Sequence, residues 1–156
     1  LVCPSSNDSS LLRTIFDGLP TFSDWYFLVV GHPSDREMSK PIVKSISRTN
    51  FAEQISIPDV FILMDQINLI VCGYSSVAIE SFLFEVSACR VVEKNSDRLF
   101  DTDPYIPQIY SQRQLFSFLT KFSTDGAKPS IDYLARSEYY FRSLDIDTIL
   151  TGFKDE

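Results

Sequence analysis

Four short, nearly unbroken apolar runs constrain this chain more than any other feature. They are Leu1-Val2-Cys3, closed by Pro4; Trp25 to Val30, closed by Gly31-His32-Pro33; Asn68 to Cys72, closed by Gly73; and Ala88 to Val92. A strand with one wet face alternates polar and apolar residues. A continuous apolar strand has both faces covered, as in a parallel sheet sandwiched between helices.

The segments between these runs have a different period. After the polar stretch Ser5 to Ser10, Leu11-Leu12, Ile15-Phe16 and Leu19 recur at helical spacing, and Gly18 and Pro20 mark the stop. Ser34 to Ser47 is expected to contain a short helix, and Ala52 to Ile57 reads as a weaker strand. Pro58 suits the first position of a helix with Val60, Phe61, Leu63 and Met64 on its apolar face. Val77 to Phe84 predicts a helix, Asn95 to Pro107 a loop, Ile109-Tyr110 a short strand and Gln112 to Phe122 another helix. Ile131 to Leu150 is amphipathic and predicts helices at the end of the chain, within residues 130–156. The order βα, βα, (β)α, βα, β and then helices predicts an α/β fold: a doubly wound, Rossmann-like parallel sheet in a single domain over residues 1–156. Because the chain opens directly in a strand, it is expected to be a fragment whose N-terminal partner domain is missing, with no leader peptide.

Composition narrows the function. A length of 156 residues suits one core, and 13 Phe, 7 Tyr and 1 Trp supply material for it. The net charge of −7 disfavours nucleic acid as a partner. No apolar run is long enough to be a transmembrane segment. Cys3, Cys72 and Cys89 each lie in an apolar run. They read as reduced core thiols, not a disulfide frame or a zinc site, and suggest a cytoplasmic location.

In open parallel sheets, ligands sit beyond the carboxyl ends of the strands. That rule selects the turns Pro4 to Ser10, Gly31 to Asp35 and Gly73 to Ser76. In Gly73-Tyr74-Ser75-Ser76, glycine permits a close backbone approach, and two serines at a helix start suit a phosphate cradle. The alternative is ordinary N-capping by Ser75 or Ser76. His32, the only histidine, stands where an imidazole protonates a leaving group or binds phosphate. Pro33 pushes it towards an extended conformation. The alternative for His32 is a loop residue with no duty. Glu80 shares a helix face with Ser76 and is in reach of a sugar hydroxyl, or else is a solvated carboxylate. Asn7, Asp8, Ser9 and Ser10 are candidates to line the pocket, with capping preferred for the two serines. Asp101-Thr102-Asp103 and Asp145-Ile146-Asp147 read as loop or cap residues, so no metal is expected. No P-loop or G-x-G-x-x-G is present, and a histidine ahead of the serine breaks the order of an α/β-hydrolase triad.

A strand ending in His32-Pro33, then a strand ending in Tyr74-Ser75-Ser76 and a helix carrying Glu80, resembles the C-terminal domain of GT-B glycosyltransferases that use CMP-activated sugars. These include the bacterial sialyltransferases, polysialyltransferases and Kdo transferases. The likeness covers roughly residues 1–122. It implies that His32 contacts the CMP phosphate as a catalytic acid, that Ser75 and Ser76 bind the same phosphate, and that Pro33, Gly73 and Tyr74 belong to the nucleotide-binding site. The segment from Pro58 and Asp59 to Phe61 would meet the cytosine, and Glu80 the ribose. CDP-glycerol glycerophosphotransferases look similar around Tyr74-Ser75-Ser76, but Gly73 replaces their aspartate and Val77-Ala78-Ile79-Glu80 departs from their pattern. The implied activity is surface polysaccharide synthesis with a CMP-sugar donor, no cofactor, a glycan acceptor and the enzyme's N-terminal half as partner. It implies a location in the cytoplasm or peripheral at the inner membrane. The alternatives are a UDP-sugar transferase or epimerase of the same fold, and a non-catalytic α/β interaction domain.

Overall fold

The computed structural model describes residues 1–31, 36–93 and 106–124. Its strands are β1 (Val2–Cys3), β2 (Tyr26–Val30), β3 (Phe51–Ile55), β4 (Leu69–Cys72), β5 (Ser87–Val91) and β6 (Gln108–Ile109). Its helices are α1 (Ser9–Phe16), α2 (Lys40–Ile46), α3 (Ile57–Leu63), α4 (Val77–Glu80) and α5 (Gln112–Thr124). Tight 3-10 turns precede α2 at Arg36–Ser39, extend α3 at Met64–Gln66 and extend α4 at Ser81–Phe84.

All six strands are parallel, in the order β3-β2-β1-β4-β5-β6. This is the doubly wound arrangement expected from the apolar runs. Side chains alternate between two cores, as period-two geometry requires. Val2, Val29, Val71 and Cys89 face α1, α2 and α5, against Leu12, Phe16, Ile46 and Leu119. Cys3, Val30, Ile70, Cys72 and Ala88 face α3 and α4, against Val60, Met64, Ala78 and Phe82. Each large apolar side chain fully buried in these layers contributes about 1.5–3 kcal/mol. An aromatic group closes the first layer: Trp25 stacks on Phe27 at 6.0 Å, and Phe27 meets Phe16 edge-on at 6.0 Å. The Trp25 indole N–H donates to Ser123 Oγ, which ties the end of α5 to the start of β2.

Three expectations are adjusted. Pro58 is the second residue of α3, because Ser56 caps the helix and Ile57 begins it. The helix expected over residues 77–84 is one α-turn followed by a 3-10 turn. There the buried Ser81 donates its hydroxyl back to the Ala78 carbonyl at 2.8 Å, a bond that tightens the chain. It ends at Glu85, which adopts a left-handed φ of 56°. The Glu85 N–H donates to Phe82 O and the Val86 N–H to Ser81 O, the paired bonds of a Schellman cap. Finally, Ser9 and Ser10 lie inside α1, and the capping position belongs to Asp8. No helix among the described residues is long and apolar enough to cross a membrane. Residues 94–105 and the segment 125–156, with both Asp-x-Asp strings and the predicted C-terminal helices, lie outside the described residues.

Candidate functional site

The strand order reverses between β1 and β4, which pair in parallel register as Val2 with Val71 and Cys3 with Cys72. The chain leaves β1 for α1 on one face and leaves β4 for α4 on the other. This is the topological switch point of the sheet, beyond whose carboxyl end open α/β folds hold ligands.

Asp8 lies at this switch point, between the two turns. It is fully buried. Its Oδ1 accepts the Ser5 N–H at 2.7 Å. Its Oδ2 accepts the Ser5 hydroxyl at 2.6 Å and, across the switch point, the Tyr74 N–H at 2.7 Å. A residue at a helix cap normally serves its own helix. Asp8 makes no such side-chain bond and clamps the opposite turn instead. This contact explains Gly73: a Cβ there would lie 2.3 Å from Asp8 Oδ2 and 2.6 Å from Asp8 Cβ. Glycine is needed for space, not for an unusual backbone angle.

The remaining residues of the turn are partly engaged. Ser75 Oγ accepts the Val77 N–H at 3.4 Å, a weak local cap. The Ser76 hydroxyl donates to Glu80 Oε1 at 2.7 Å, one helical turn on. Both Ser76 and Glu80 are exposed, whereas Ser75 and Tyr74 are half-buried. The helix face predicted to unite Ser76 and Glu80 is thus present, and the two residues bond each other. Because Asp8 holds the Tyr74 amide, an incoming anion would meet the Ser75 and Ser76 N–H groups and the Ser75 hydroxyl.

The other predicted residues lie on the same sheet edge or outside the described residues. Gly31 is buried at the end of β2 and donates its N–H to Ile55 O at 3.2 Å. His32 and Pro33 follow it and lie outside the described residues. Pro58 and Asp59 start α3 just past β3. From β3 to β4 is three strand spacings, about 14 Å, so a ligand touching both α3 and the Gly73–Ser76 turn must cross the ends of β2 and β1. Asp59 accepts both the hydroxyl and the backbone N–H of Ser56. The hydroxyl bond, and then the backbone bond, hold its carboxyl below the usual range.

In the strands themselves lie the three thiols. Burial pushes Cys3 and Cys89 up to about 12 and Cys72 well above its ordinary value. The Arg90 guanidinium opposes part of the shift at Cys72. None of the three is a nucleophile at neutral pH.

No protein-family model, curated protein or solved structure matches this chain. Its own geometry therefore carries the functional argument. Two features escaped the sequence reading. Asp8 was grouped with its polar neighbours, because nothing in a run of cap-type residues says that one of them bonds a turn 66 positions away. Arg90 is fully buried inside a strand read as apolar, in register with Cys72 and Gln108. The signal for it was a lone cation within Ala88 to Val92.

Two grooves on the described surface lie away from the switch point. One of about 460 Å³ lies between α1 and α2. Another of about 790 Å³ follows the amino-terminal edge of the sheet past Trp25, Leu63 and Phe84.

Proposed function

We propose that this domain binds the donor of a metal-independent glycosyltransferase, with a CMP-activated sugar spanning the switch point between β1 and β4. One observation carries the reading. The strand order places the switch point between the turns Ser5–Asp8 and Gly73–Ser76, and β2 ends on that same edge two residues before His32. On this reading the Ser75 and Ser76 N–H groups and the Ser75 hydroxyl meet the phosphate. They stabilise the charge that develops as the nucleotide leaves. His32 supplies the proton, Pro58 and Asp59 flank the base, and Glu80 accepts from the ribose once Ser76 releases it. The glycan acceptor and its base belong to a second half of the enzyme.

The test is an NMR titration of the chain with CMP, with UMP as comparator and EDTA present. The expected result is a larger response to CMP, centred on Ser75, Ser76 and His32, and its loss in Ser75→Ala and His32→Ala. A requirement for magnesium, or shifts confined to other elements, would refute the reading.

A second reading rests on a specific observation. Ser75, Ser76 and the Tyr74 amide all have partners within the protein. A non-catalytic interaction domain would need no more from them, and it predicts no response to either nucleotide.

A further inference from the structure

The groove between α1 and α2 collects positive charge on an acidic protein. Arg13 of α1, Lys40 and Lys44 of α2 and Arg48 just beyond it all line the groove. These are four of the chain's 14 lysines and arginines, in a molecule with a net charge of −7. All four are exposed. Two already have partners: Lys40 with Glu37 at 2.6 Å, and Arg48 with Asp17. Among the described residues, Arg13 and Lys44 have no carboxylate partner.

We propose that this groove is a docking site for an extended acidic peptide of a partner protein. Three observations set the class of ligand. First, like charges on one small surface repel, and an anion relieves that repulsion while adding favourable contacts. Second, Lys40 and Lys44 are one turn apart on the same helix face, a rise of about 6 Å. Alternate residues of an extended chain point the same way and are about 6.6–6.8 Å apart. A segment with Asp or Glu at every second position therefore sets successive carboxylates opposite successive cations, and Arg13 closes the other wall. Third, single-stranded nucleic acid sites combine cations with aromatic platforms for the bases. The described lining has no aromatic side chain; besides the four cations it comprises Pro41, Ser45 and the single carboxylate Glu37, which is paired with Lys40. The groove is separate from the switch point between β1 and β4 and does not depend on the nucleotide reading.

The probe is a fluorescein-labelled octapeptide of alternating aspartate and serine, titrated with the full chain at low ionic strength and read by anisotropy. The comparators are the same peptide with asparagine for aspartate, and an oligothymidylate. Binding of the acidic peptide is expected to fall by about tenfold in Lys44→Glu and again in Arg13→Glu. It should weaken with added salt and survive Lys121→Glu, which lies on α5 outside the groove. Equal binding of the aspartate and asparagine peptides would overturn the proposal, as would indifference to both groove reversals. Tighter, reversal-sensitive binding of oligothymidylate would replace it with a nucleic acid site.

Discussion

Gly73→Ala tests the Asp8 clamp most directly, because the two physical effects of the change have opposite signs. The backbone at Gly73 is not in the left-handed region. With free space beside it, alanine would stabilise the protein by about 0.4–1 kcal/mol through the unfolded chain. The space is not free: the new methyl falls 2.3 Å from Asp8 Oδ2 and 2.6 Å from Asp8 Cβ. Asp8 cannot swing aside, since it is fully buried and held by Ser5 and Tyr74. Either the turns part and lose the Tyr74 N–H bond to a carboxylate, about 1.5–3 kcal/mol, or they overpack at about 1–3 kcal/mol. The expected net loss is about 2–3 kcal/mol in urea unfolding, a large share of a typical total of about 5–15 kcal/mol. The second arm is a double-mutant cycle with Asp8→Gly, not Asp8→Ala, because alanine keeps the Cβ that clashes. Asp8→Gly alone should destabilise strongly, and Gly73→Ala added to it should cost almost nothing. A stabilised Gly73→Ala, or costs that simply add, would refute the clamp.

Glu85→Gly should stabilise by about 1 kcal/mol and raise the thermal midpoint, since it relieves a left-handed φ of 56° at an exposed cap; no change or a loss would show that the Glu85 side chain has a role. The buried cysteines should resist a thiol-specific chromogenic reagent at pH 8 and all react in denaturant, and rapid native labelling would contradict their burial. Folded-state values of about 12 for Cys3 and Cys89, against 9.0 for the free thiol, make their contribution complete below about pH 9. That contribution declines as pH rises towards 12, because unfolded thiols ionise first; alkaline urea titrations should show the decline. Ser123→Ala should change the emission of Trp25, the only tryptophan, while leaving the far-ultraviolet spectrum intact.

The sheet was legible because burial on both faces leaves an unbroken apolar run, which needs no long-range knowledge to see. Trp25 to Val30 and Asn68 to Cys72 fall within a residue of β2 and β4. Edge elements were read less well. β3 has no fully buried residue, so Phe51, 71% exposed, carries no periodic signal. The rule about strand ends pointed to Gly73 and the serines, and helix periodicity pointed to Glu80, but their bonding was not legible. Whether a serine hydroxyl serves a ligand, a cap or Glu80 depends on the short α4, and that shape is set by the left-handed Glu85 nine residues after Ser76. The clamp is a relation between two turns that neighbour only through the pairing of β1 with β4.

That pairing also sets an order of assembly. β1 lies at the centre of the sheet, with β2 on one side and β4 on the other. One flank is completed only when Leu69–Cys72 arrives, after β2, α2, β3 and α3 have passed. Every strand pairing in the sheet is non-local, which slows folding, because loop closure must come before the contacts that reward it. A central strand waiting for a distant neighbour makes the arrival of β4 the natural commitment step: refolding should be slowed by defects in β4 or at Asp8 and nearly untouched by defects in β6.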